Sequence, residues 1–462
     1  MLTITGSDRR AFLKVGTLGL AGLSLDELLR AKAFASESKG VVKDKSVIFL
    51  FMQGGPSQYE TFDPKMSAPA EIRSTTGEIS TSLPSITFGS TFTKLAKLAN
   101  KMTVVRSFVG GDGNHDIKPI MHKDTLNANL GSIYARIAGT NHPTSGMPTN
   151  VALFPKSVVP ESQPMQTGFG NFLSAGLVGN AYAPYSPEGK GVALQNMQLR
   201  IPRERLDDRN TLMKQFDKLK RDLDTSGSAD ALDRYKQQAI DMVLRGSADA
   251  FDLSKEDPRV VQRYDTAHMA SPESINKKWN NHKFYVDHVR TLGKLLVLAR
   301  RLCEAGCGFV TVTTNFVWDM HADSNNAPAA EAMPYVGGPV DHAVSAFIED
   351  CEDRGLSDKI MLVATGEMGR TPRVNKNGGR DHWGGIAPLL ITGGGLPMGQ
   401  VIGQSNRDGG QPSSTPITRA HLVSTIMHTL FDVPQLRIQR GVPDDVGRVI
   451  MGHEPIRELI DA

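Results

Sequence analysis

The stretch Ser46-Val-Ile-Phe-Leu-Phe-Met52 is a continuous apolar run, and Gln53-Gly-Gly-Pro-Ser57 follows it directly. A short run without polar alternation is typical of a strand that is buried on both faces of a sheet. The glycines and the proline predict a tight turn at the carboxyl end of that strand. This stretch therefore predicts a strand inside a sheet that is covered on both sides.

Five further apolar runs have the same character, and they occupy residues 103–105, 150–154, 308–314, 359–364 and 386–391. Between some of these runs, apolar residues keep the three-or-four spacing of amphipathic helices, as at 289–302 and 422–430. Alternation of strands with helices favours a parallel arrangement of the strands. We therefore predict an α/β fold with a mainly parallel central sheet sandwiched by helices.

The composition of the chain excludes several classes of protein. Its 462 residues, 39% hydrophobic and 22% charged, are typical of a globular protein with ample core. Lysine and arginine together number 52 against 49 acidic residues, which gives a net charge of +3. So small an excess of positive charge provides no electrostatic basis for binding nucleic acid or an anionic membrane surface.

The chain has three cysteines, Cys303, Cys307 and Cys351. This number excludes a disulfide framework and a zinc site built from cysteines. Cys351 lies on an apolar helical stripe, and an odd number of thiols leaves at least one unpaired. We therefore expect buried structural thiols.

The first 35 residues have the features of an export signal. Arg9 and Arg10 precede an apolar run over 15–25, which is too short to span a membrane as a helix. The pattern Arg-Arg-x-Phe-Leu-Lys resembles the twin-arginine signal, which exports proteins that are already folded. We expect a periplasmic or extracellular protein that uses the twin-arginine export machinery and has no stable membrane span. An ordinary amphipathic helix is the alternative.

Residues 36–462 are predicted to form a single domain. The part from about 203 to 264 differs from the rest because it is rich in charged residues. It carries two amphipathic helical patterns, over 206–223 and 232–250, around a Thr-Ser-Gly-Ser turn. We predict that this part is a helical insertion at the surface.

Three clusters of polar residues each follow a predicted strand, which is where open parallel sheets bind their ligands. The first cluster, 53–65, has two glycines that leave backbone N–H groups free to face an anion. Ser57 and Thr61 add hydroxyl groups to it. A Gly-Pro turn followed by a capped loop is the alternative interpretation.

The second cluster is Trp318-Asp-Met-His-Ala-Asp323. Asp319 and His321 offer a carboxylate oxygen and an imidazole nitrogen, two positions apart in a predicted loop. Such a pair can chelate one cation, and these ligands suit zinc, manganese or iron. An exposed polar loop is the alternative.

The third cluster spans 366–385, in loops rich in glycine. Three of its side chains could hold a metal, namely Glu367, Asp381 and His382. An ion pair of Glu367 with Arg370 and another of Arg380 with Asp381 would be the structural alternative.

The arginines of the third cluster, Arg370 and Arg380, offer planar forks for an anionic oxygen group. A further polar segment, 114–124, contains His115. This histidine could contact a substrate, or it could contact a metal ligand without binding the metal itself. A solvated loop is the alternative.

Taken in order, these blocks resemble the family known as domain of unknown function 1501, over nearly all of the chain that follows the leader. The family consists of exported bacterial proteins that are grouped by fold with alkaline phosphatases, sulfatases and cofactor-independent phosphoglycerate mutases. The matching pieces are the twin-arginine leader, Gly54-Gly-Pro-Ser-Gln58, Thr61-Phe-Asp-Pro-Lys65, Asn114-His-Asp116, Trp318-Asp-Met-His321, Gly366-Glu-Met-Gly-Arg-Thr-Pro372, Gly379-Arg-Asp-His-Trp383 and Ile391-Thr-Gly-Gly-Gly395.

The resemblance implies an alkaline-phosphatase-like fold in which metal ions lie at the ends of successive strands. Asp319 and His321 match an Asp/His pair that holds one ion, and His382 matches a late histidine that completes it. Gln53 and Met368 stand where a second ion usually has an aspartate and a histidine. Because a neutral amide and a thioether are poor ligands for a hard cation, we expect one divalent ion of the Zn, Mn or Fe type.

The resemblance also implies a hydrolase of phosphate or sulfate esters, with a small anionic ester or a sulfated or phosphorylated polymer as substrate. Ser57 is then the candidate nucleophile, ahead of Thr61. Arg370 and Arg380 would neutralise charge on the transferred group. The sequence has no Cys-x-Pro-x-Arg run, which excludes a formylglycine sulfatase. The alternative is a non-catalytic binding or assembly protein whose second metal site has decayed.

Overall fold

A computed structural model describes residues 40–187 and 247–460 of the chain. The predicted export signal at 1–35 and most of the predicted insertion, 203–246, lie outside the described residues. Export and the helices of the insertion therefore stay predictions. None of the helices in the described ranges combines the length and the apolar character that a membrane crossing requires.

The strands and helices of the described residues are numbered in chain order. The strands are β1 (Ser46–Phe51), β2 (Glu78–Ser80), β3 (Thr87–Gly89), β4 (Thr103–Val105), β5 (Phe108–Val109), β6 (Asn150–Leu153), β7 (Phe309–Val312), β8 (Ile360–Thr365), β9 (Gly369–Arg370), β10 (His382–Trp383), β11 (Leu389–Gly393), β12 (Gln400–Ile402) and β13 (Ile417–Thr418). The helices are α1 (Thr93–Lys97), α2 (Leu130–Ala138), α3 (Pro258–Tyr264), α4 (His282–Glu304), α5 (Ala329–Asp353), α6 (Arg419–Leu430), α7 (Val433–Ile438), α8 (Asp444–Met451) and α9 (Arg457–Ile460).

The central sheet has seven strands in the order β12-β4-β11-β8-β1-β7-β6. Neighbouring strands are parallel in four of the pairs, and only the two pairs that β11 makes are antiparallel. The prediction of an α/β fold with a mainly parallel sheet is confirmed. Each of the six apolar runs forms a strand of this sheet, and β12 is an addition that the sequence did not reveal.

Helices cover the sheet on both faces, as predicted. Successive side chains of β1 point to opposite faces, so Ile48 and Leu50 join the apolar core beneath α4 and α5. Phe49 and Phe51 join the second core, beneath α2, α6 and α8. Five of the six residues of β1 are buried, and each such side chain contributes about 1.5–3 kcal/mol when it leaves water. The uninterrupted apolar character of β1 therefore follows from its place between two cores.

The described end of the predicted insertion, 247–264, packs against the helices that cover one face of the sheet. The Tyr264 hydroxyl donates a hydrogen bond to the Asp350 carboxylate at 3.0 Å. Glu256 forms an ion pair with the fully buried Arg300 at 2.7 Å. These contacts attach the described end of the segment to α4 and α5.

The three cysteines are free and buried, as predicted. Burial raises the pKa of the Cys307 thiol to about 12, and it raises the pKa of Cys351 to about 12 as well. Thiols of this kind are protonated and unreactive near neutral pH. Their role is therefore to fill apolar space.

The sheet brings the polar clusters together at its carboxyl edge. Strands β1, β7 and β8 are parallel, so the chain leaves all three at the same edge. β11 runs in the opposite direction, with Leu389 paired to Thr365, so the loop before it reaches that edge too. The loops after β1, β7 and β8 and the loop before β11 thus share one neighbourhood.

The buried His288 of α4 is expected to make the protein sensitive to acid. Its Nε2–H donates to the Val336 carbonyl at 2.9 Å, and its Nδ1 lies 2.6 Å from the Thr314 hydroxyl, which donates to it. Burial lowers the pKa of His288 to about 4, against about 6.5 in an unfolded chain. The unfolded state therefore binds a proton first as the pH falls, and roughly 3 kcal/mol of stability should be lost between pH 6.5 and pH 4.

Chemical denaturation across that pH range measures this loss. The His288→Asn variant should show a shallower dependence on pH, whereas a variant of the exposed His268, His268→Asn, should follow the wild type. An equally steep dependence in His288→Asn would contradict the assignment.

Candidate metal centre

Four ligand-type side chains meet at the carboxyl edge of the sheet, and they are His115, Asp319, His321 and His382. One ligand atom from each lies within 4.8 Å of the corresponding atoms of the others. Three of these residues are ligands that the sequence predicted, in two loops that lie far apart along the chain. The fourth, His115, comes from the loop after β5.

The three imidazoles direct the same ring nitrogen, Nε2, at one carboxylate oxygen. The distances to Asp319 Oδ1 are 2.8 Å from His321, 3.5 Å from His115 and 3.5 Å from His382. The Nε2 atoms of His321 and His382 lie 2.6 Å apart. Two ring nitrogens this close need a proton or a cation between them, because their lone pairs would otherwise repel each other.

Two of the imidazoles are held by carboxylates at their other nitrogen, Nδ1. His115 Nδ1 lies 3.0 Å from Glu367, and His321 Nδ1 lies 3.3 Å from Asp381. With an ion bound, such a carboxylate would keep the proton on Nδ1 and leave the Nε2 lone pair for the metal, whereas without an ion the Nε2 atoms can carry protons and donate to Asp319. The sequence predicted Glu367 and Asp381 as metal ligands. In the structure both carboxylates contact Nδ1 atoms of imidazoles and lie outside the group of four, so the geometry favours a supporting role, and direct binding of the ion by either stays a prediction.

The donor set fits a divalent ion. Three imidazole nitrogens and one carboxylate oxygen suit zinc, manganese or iron, and not a hard ion that prefers oxygen alone. Zinc with four protein ligands is usually structural, whereas an ion of higher coordination number would keep positions for water or substrate. The His382 side chain is 31% exposed, so the group of four is open to solvent on that side.

Asp319 is the electrostatic centre of the group. Its Oδ1 accepts a hydrogen bond from Arg370 Nη2 at 2.7 Å, and its Oδ2 accepts one from Asn326 at 3.1 Å. Burial raises the pKa of the Asp319 carboxyl, but hydrogen bonds from the imidazoles and the charge of Arg370 outweigh burial and hold that pKa well below its usual range. Burial lowers the pKa of His115, yet bonds to Asp319 and Glu367 leave it above its ordinary value.

Glycines allow the loops to approach this closely. Gly54 has φ of 113°, and a Cβ there would lie 2.6 Å from the backbone nitrogen of Asp319. A Cβ on Gly379 would lie 2.1 Å from the carbonyl carbon of His321. Because no side chain fits at either position, the turn after β1 and the loop between β9 and β10 can both lie directly against the loop that carries Asp319 and His321.

The two predicted nucleophiles differ in their surroundings. Ser57 is buried in the turn after β1, and its hydroxyl makes no hydrogen bond with any described residue. The Thr61 hydroxyl donates to the backbone carbonyl of Ser57 at 2.8 Å. Ser57 therefore has the free hydroxyl, and the geometry favours it over Thr61.

Arg370 lies within the centre, and its guanidinium is fully engaged. Besides its bond to Asp319, it donates through Nε to the carbonyl of Gly55 at 2.7 Å and through Nη1 to that of Arg380 at 3.1 Å. It also donates to the carbonyl of Gly54. Arg370 thus fastens the turn after β1 to the carboxylate of Asp319.

Arg380, predicted to neutralise a transferred group, has a structural position instead. Its guanidinium lies 4.1 Å from the centre of the Tyr59 ring, and its Nε is 3.5 Å from Glu60. The remaining N–H groups donate to the backbone carbonyls of Ile72, Arg73, Thr371 and Pro372. Since both terminal nitrogens donate to backbone carbonyls and the buried Nε faces Glu60, the geometry does not favour the predicted catalytic role.

The residues in the place of a second metal site do not form one. Gln53 is buried, and neither polar atom of its amide has a hydrogen-bond partner among the described residues. The Met368 side chain is fully buried against Gly55. Within the described ranges, no second group of three histidine, cysteine or acidic side chains lies close enough to hold an ion. The donor set therefore fits one ion.

Replacing Glu367 with glutamine is expected to weaken metal binding about 10–100-fold. The amide keeps the size of the side chain and can still accept the bond from the Gly54 N–H at 2.9 Å. It removes the negative charge that keeps the proton of His115 on Nδ1. Competition with a chromophoric chelator measures the affinity, and Asp381→Asn should have a smaller effect because Asp381 is 61% exposed. Unchanged affinity in Glu367→Gln would contradict this role.

These features define an α/β protein with a candidate mononuclear metal centre of three histidines and one aspartate. A family model described as protein of unknown function (DUF1501) matches residues 44–449. The chain belongs to this family, as its sequence blocks predicted. No curated protein sequence matches the chain at a significant level.

Several solved structures are similar in part. The PsFucS1 sulfatase from Pseudoalteromonas sp. is 10% identical, with 84% of this chain and 70% of that chain covered and a TM-score of 0.32. The phosphonate monoester hydrolase SpPMH from Silicibacter pomeroyi is 12% identical, with 83% and 73% covered and a TM-score of 0.32. The alkaline phosphatase from the Antarctic bacterium TAB5 is 9% identical, with 80% and 96% covered and a TM-score of 0.26. Likenesses this weak carry no argument about activity.

Proposed function

We propose that this protein is a metal-dependent hydrolase of phosphate or sulfate esters. The observation that carries the proposal is the convergence of three Nε2 atoms on Asp319 Oδ1 at the carboxyl edge of the sheet. That edge is where open parallel sheets hold their reacting groups. A buried serine with an unpartnered hydroxyl, Ser57, lies on an adjoining turn of the described chain.

Each residue of the centre has a part in this proposal. A divalent ion bound here would supply a Lewis acid that polarises the ester oxygen and makes a nearby hydroxyl more acidic. Glu367 and Asp381 keep protons on the Nδ1 atoms of two imidazoles, so that the Nε2 lone pairs face the ion. Arg370 holds the Asp319 carboxylate in place. Ser57 would provide the hydroxyl that attacks the phosphorus or sulfur atom: the bond to the ester oxygen breaks, the alcohol leaves with the proton that the serine gives up, and water then releases phosphate or sulfate from the serine.

The proposed substrates are small anionic esters or sulfated or phosphorylated polymers. We also propose that the protein acts in the periplasm or outside the cell after export by the twin-arginine route. The pair Arg9-Arg10 ahead of a short apolar run supports this location, because a twin arginine before such a run is the signal for that route.

Elemental analysis of the native protein, combined with assays on aryl phosphates and aryl sulfates, tests the proposal. We expect about one equivalent of a transition metal and hydrolysis of one ester class. His382→Ala should lose both, whereas Ser57→Ala should keep the metal and lose turnover. Absence of stoichiometric metal together with no turnover after addition of zinc, manganese, iron or cobalt would remove the proposal.

A non-catalytic binding protein is the second candidate. The observation that favours it is that Arg370 and Arg380 direct their N–H groups at protein acceptors, so neither is free to hold a transferred anionic group. A protein with one tightly bound ion that hydrolyses neither ester class would support this candidate.

A further inference from the structure

Lys118 is a fully buried lysine in the loop that carries His115. Its side chain is 0% exposed. The ammonium group contacts the Asp112 carboxylate, the Asp116 carboxylate at 2.8 Å and the backbone carbonyl of Asn114 at 3.3 Å. An ammonium has three donors, so each N–H has an oxygen partner. This lysine is therefore completely engaged within its own loop.

The loop that carries His115 contains no helix or strand whose backbone hydrogen bonds would fix its shape. Residues 110–117 include no helix or strand, and the three oxygens that Lys118 binds lie on residues shortly before and immediately after His115. Backbone N–H groups add local bonds, from Asn114 to the Asp112 carboxylate at 3.1 Å and from Lys118 to the Asp116 carboxylate at 3.0 Å. The buried ammonium is thus the centre around which the loop folds. Removing it would take away the one group that joins the Asp112 carboxylate, which is 59% exposed, to the Asp116 carboxylate, which is 34% exposed.

The position of His115 is sensitive to the shape of this loop. Its imidazole packs against the rings of Phe169 and Phe316, with ring centres 4.9 Å and 4.6 Å away. Its Nε2 lies 3.5 Å from Asp319 Oδ1, and a Cβ on Gly113 would lie 3.3 Å from the Cβ of His382. A change in the loop would therefore move His115 and would also disturb the packing around His382.

We infer that Lys118 is a positioning residue for the metal centre, which folds the loop 112–118 and thereby presents His115 as the fourth ligand. The inference rests on the proposed metal centre and deepens it. Lys118 is too deeply buried to touch a substrate, so its effect on the ion passes through His115.

A double-mutant cycle on metal affinity tests this role. Lys118→Met keeps the length of the side chain and removes its charge, and we expect it to weaken binding of Zn²⁺ or Co²⁺ at least about tenfold, within the range known for residues that orient ligands. Lys123→Met removes an exposed lysine nearby and should leave the affinity unchanged. In the His115→Ala background, Lys118→Met should cause no further loss, because the ligand through which it acts is gone.

The visible spectrum of the cobalt protein gives a second measurement that is independent of activity. Lys118→Met should change the cobalt absorption in the same way as His115→Ala does. Asp116→Asn, which keeps an acceptor for the ammonium, should fold like the wild type and give a smaller change of the same kind, so it provides the test if Lys118→Met does not fold.

The outcomes separate this inference from the proposed function. If the wild type binds the ion and Lys118→Met binds it equally well, the positioning role is overturned and the proposed hydrolase stands. An equal loss of affinity in the presence and absence of His115 would also overturn the role, because it would show a general structural effect. If the wild type binds no ion, the metal centre itself has failed.

Discussion

Replacement of Asp319 by asparagine should abolish tight metal binding, with a loss of affinity of roughly three orders of magnitude. The carboxylate is the only anionic ligand of the group, and all three Nε2 atoms lie within 3.5 Å of its Oδ1. The loss should exceed the 10–100-fold that is typical when an outer partner of a ligand is removed. The measurement is metal affinity by competition with a chelator.

The same variant should also destabilise the metal-free protein. Arg370 is buried and pairs with the Asp319 carboxylate at 2.7 Å, and removing one partner of a buried ion pair costs about 3–5 kcal/mol. Asp381→Asn is the matched control, since Asp381 is an exposed carboxylate that also touches His321. Wild-type affinity in Asp319→Asn would show that any ion is held elsewhere.

The strands of the sheet could be predicted because each is buried on both faces. Runs such as 46–52 and 359–364 are almost wholly apolar, so their location followed from composition alone. The direction of β11 could not be predicted in the same way. An apolar run looks the same in either direction, and whether it pairs parallel or antiparallel depends on the connection that precedes it.

The ligands could be predicted in part, for a related reason. Asp319 and His321 follow a recognisable strand, and His382 precedes one, so the topology of the sheet indicated that they could meet. The contact of Glu367 with His115 could not be predicted, because residue type does not reveal whether a carboxylate faces a metal or an imidazole. The part of His115 as a candidate ligand was missed because β5, the strand before its loop, has only two residues and leaves no periodic signal.

Replacement of Arg370 by methionine should destabilise the metal-free protein by about 3–5 kcal/mol and increase the stabilisation that metal provides. Without the guanidinium, the buried Asp319 carboxylate keeps only the imidazoles and Asn326 as partners, which is costly. A bound cation would then supply the missing counter-charge. Since a ligand that binds only the folded state stabilises it more as its affinity rises, the gain in unfolding free energy on adding metal should be larger than in the wild type.

Unfolding by denaturant, with a chelator and with saturating metal, gives this gain directly. Arg373→Met is the matched control because Arg373 is exposed and lies close by in the sequence, and its gain should equal that of the wild type. An unchanged or smaller gain in Arg370→Met would mean that the arginine and the ion do not share Asp319. If turnover fell while the gain stayed the same, Arg370 would instead act on the transferred group. The experiment thus decides whether the Arg370 guanidinium stabilises the Asp319 carboxylate or binds the substrate.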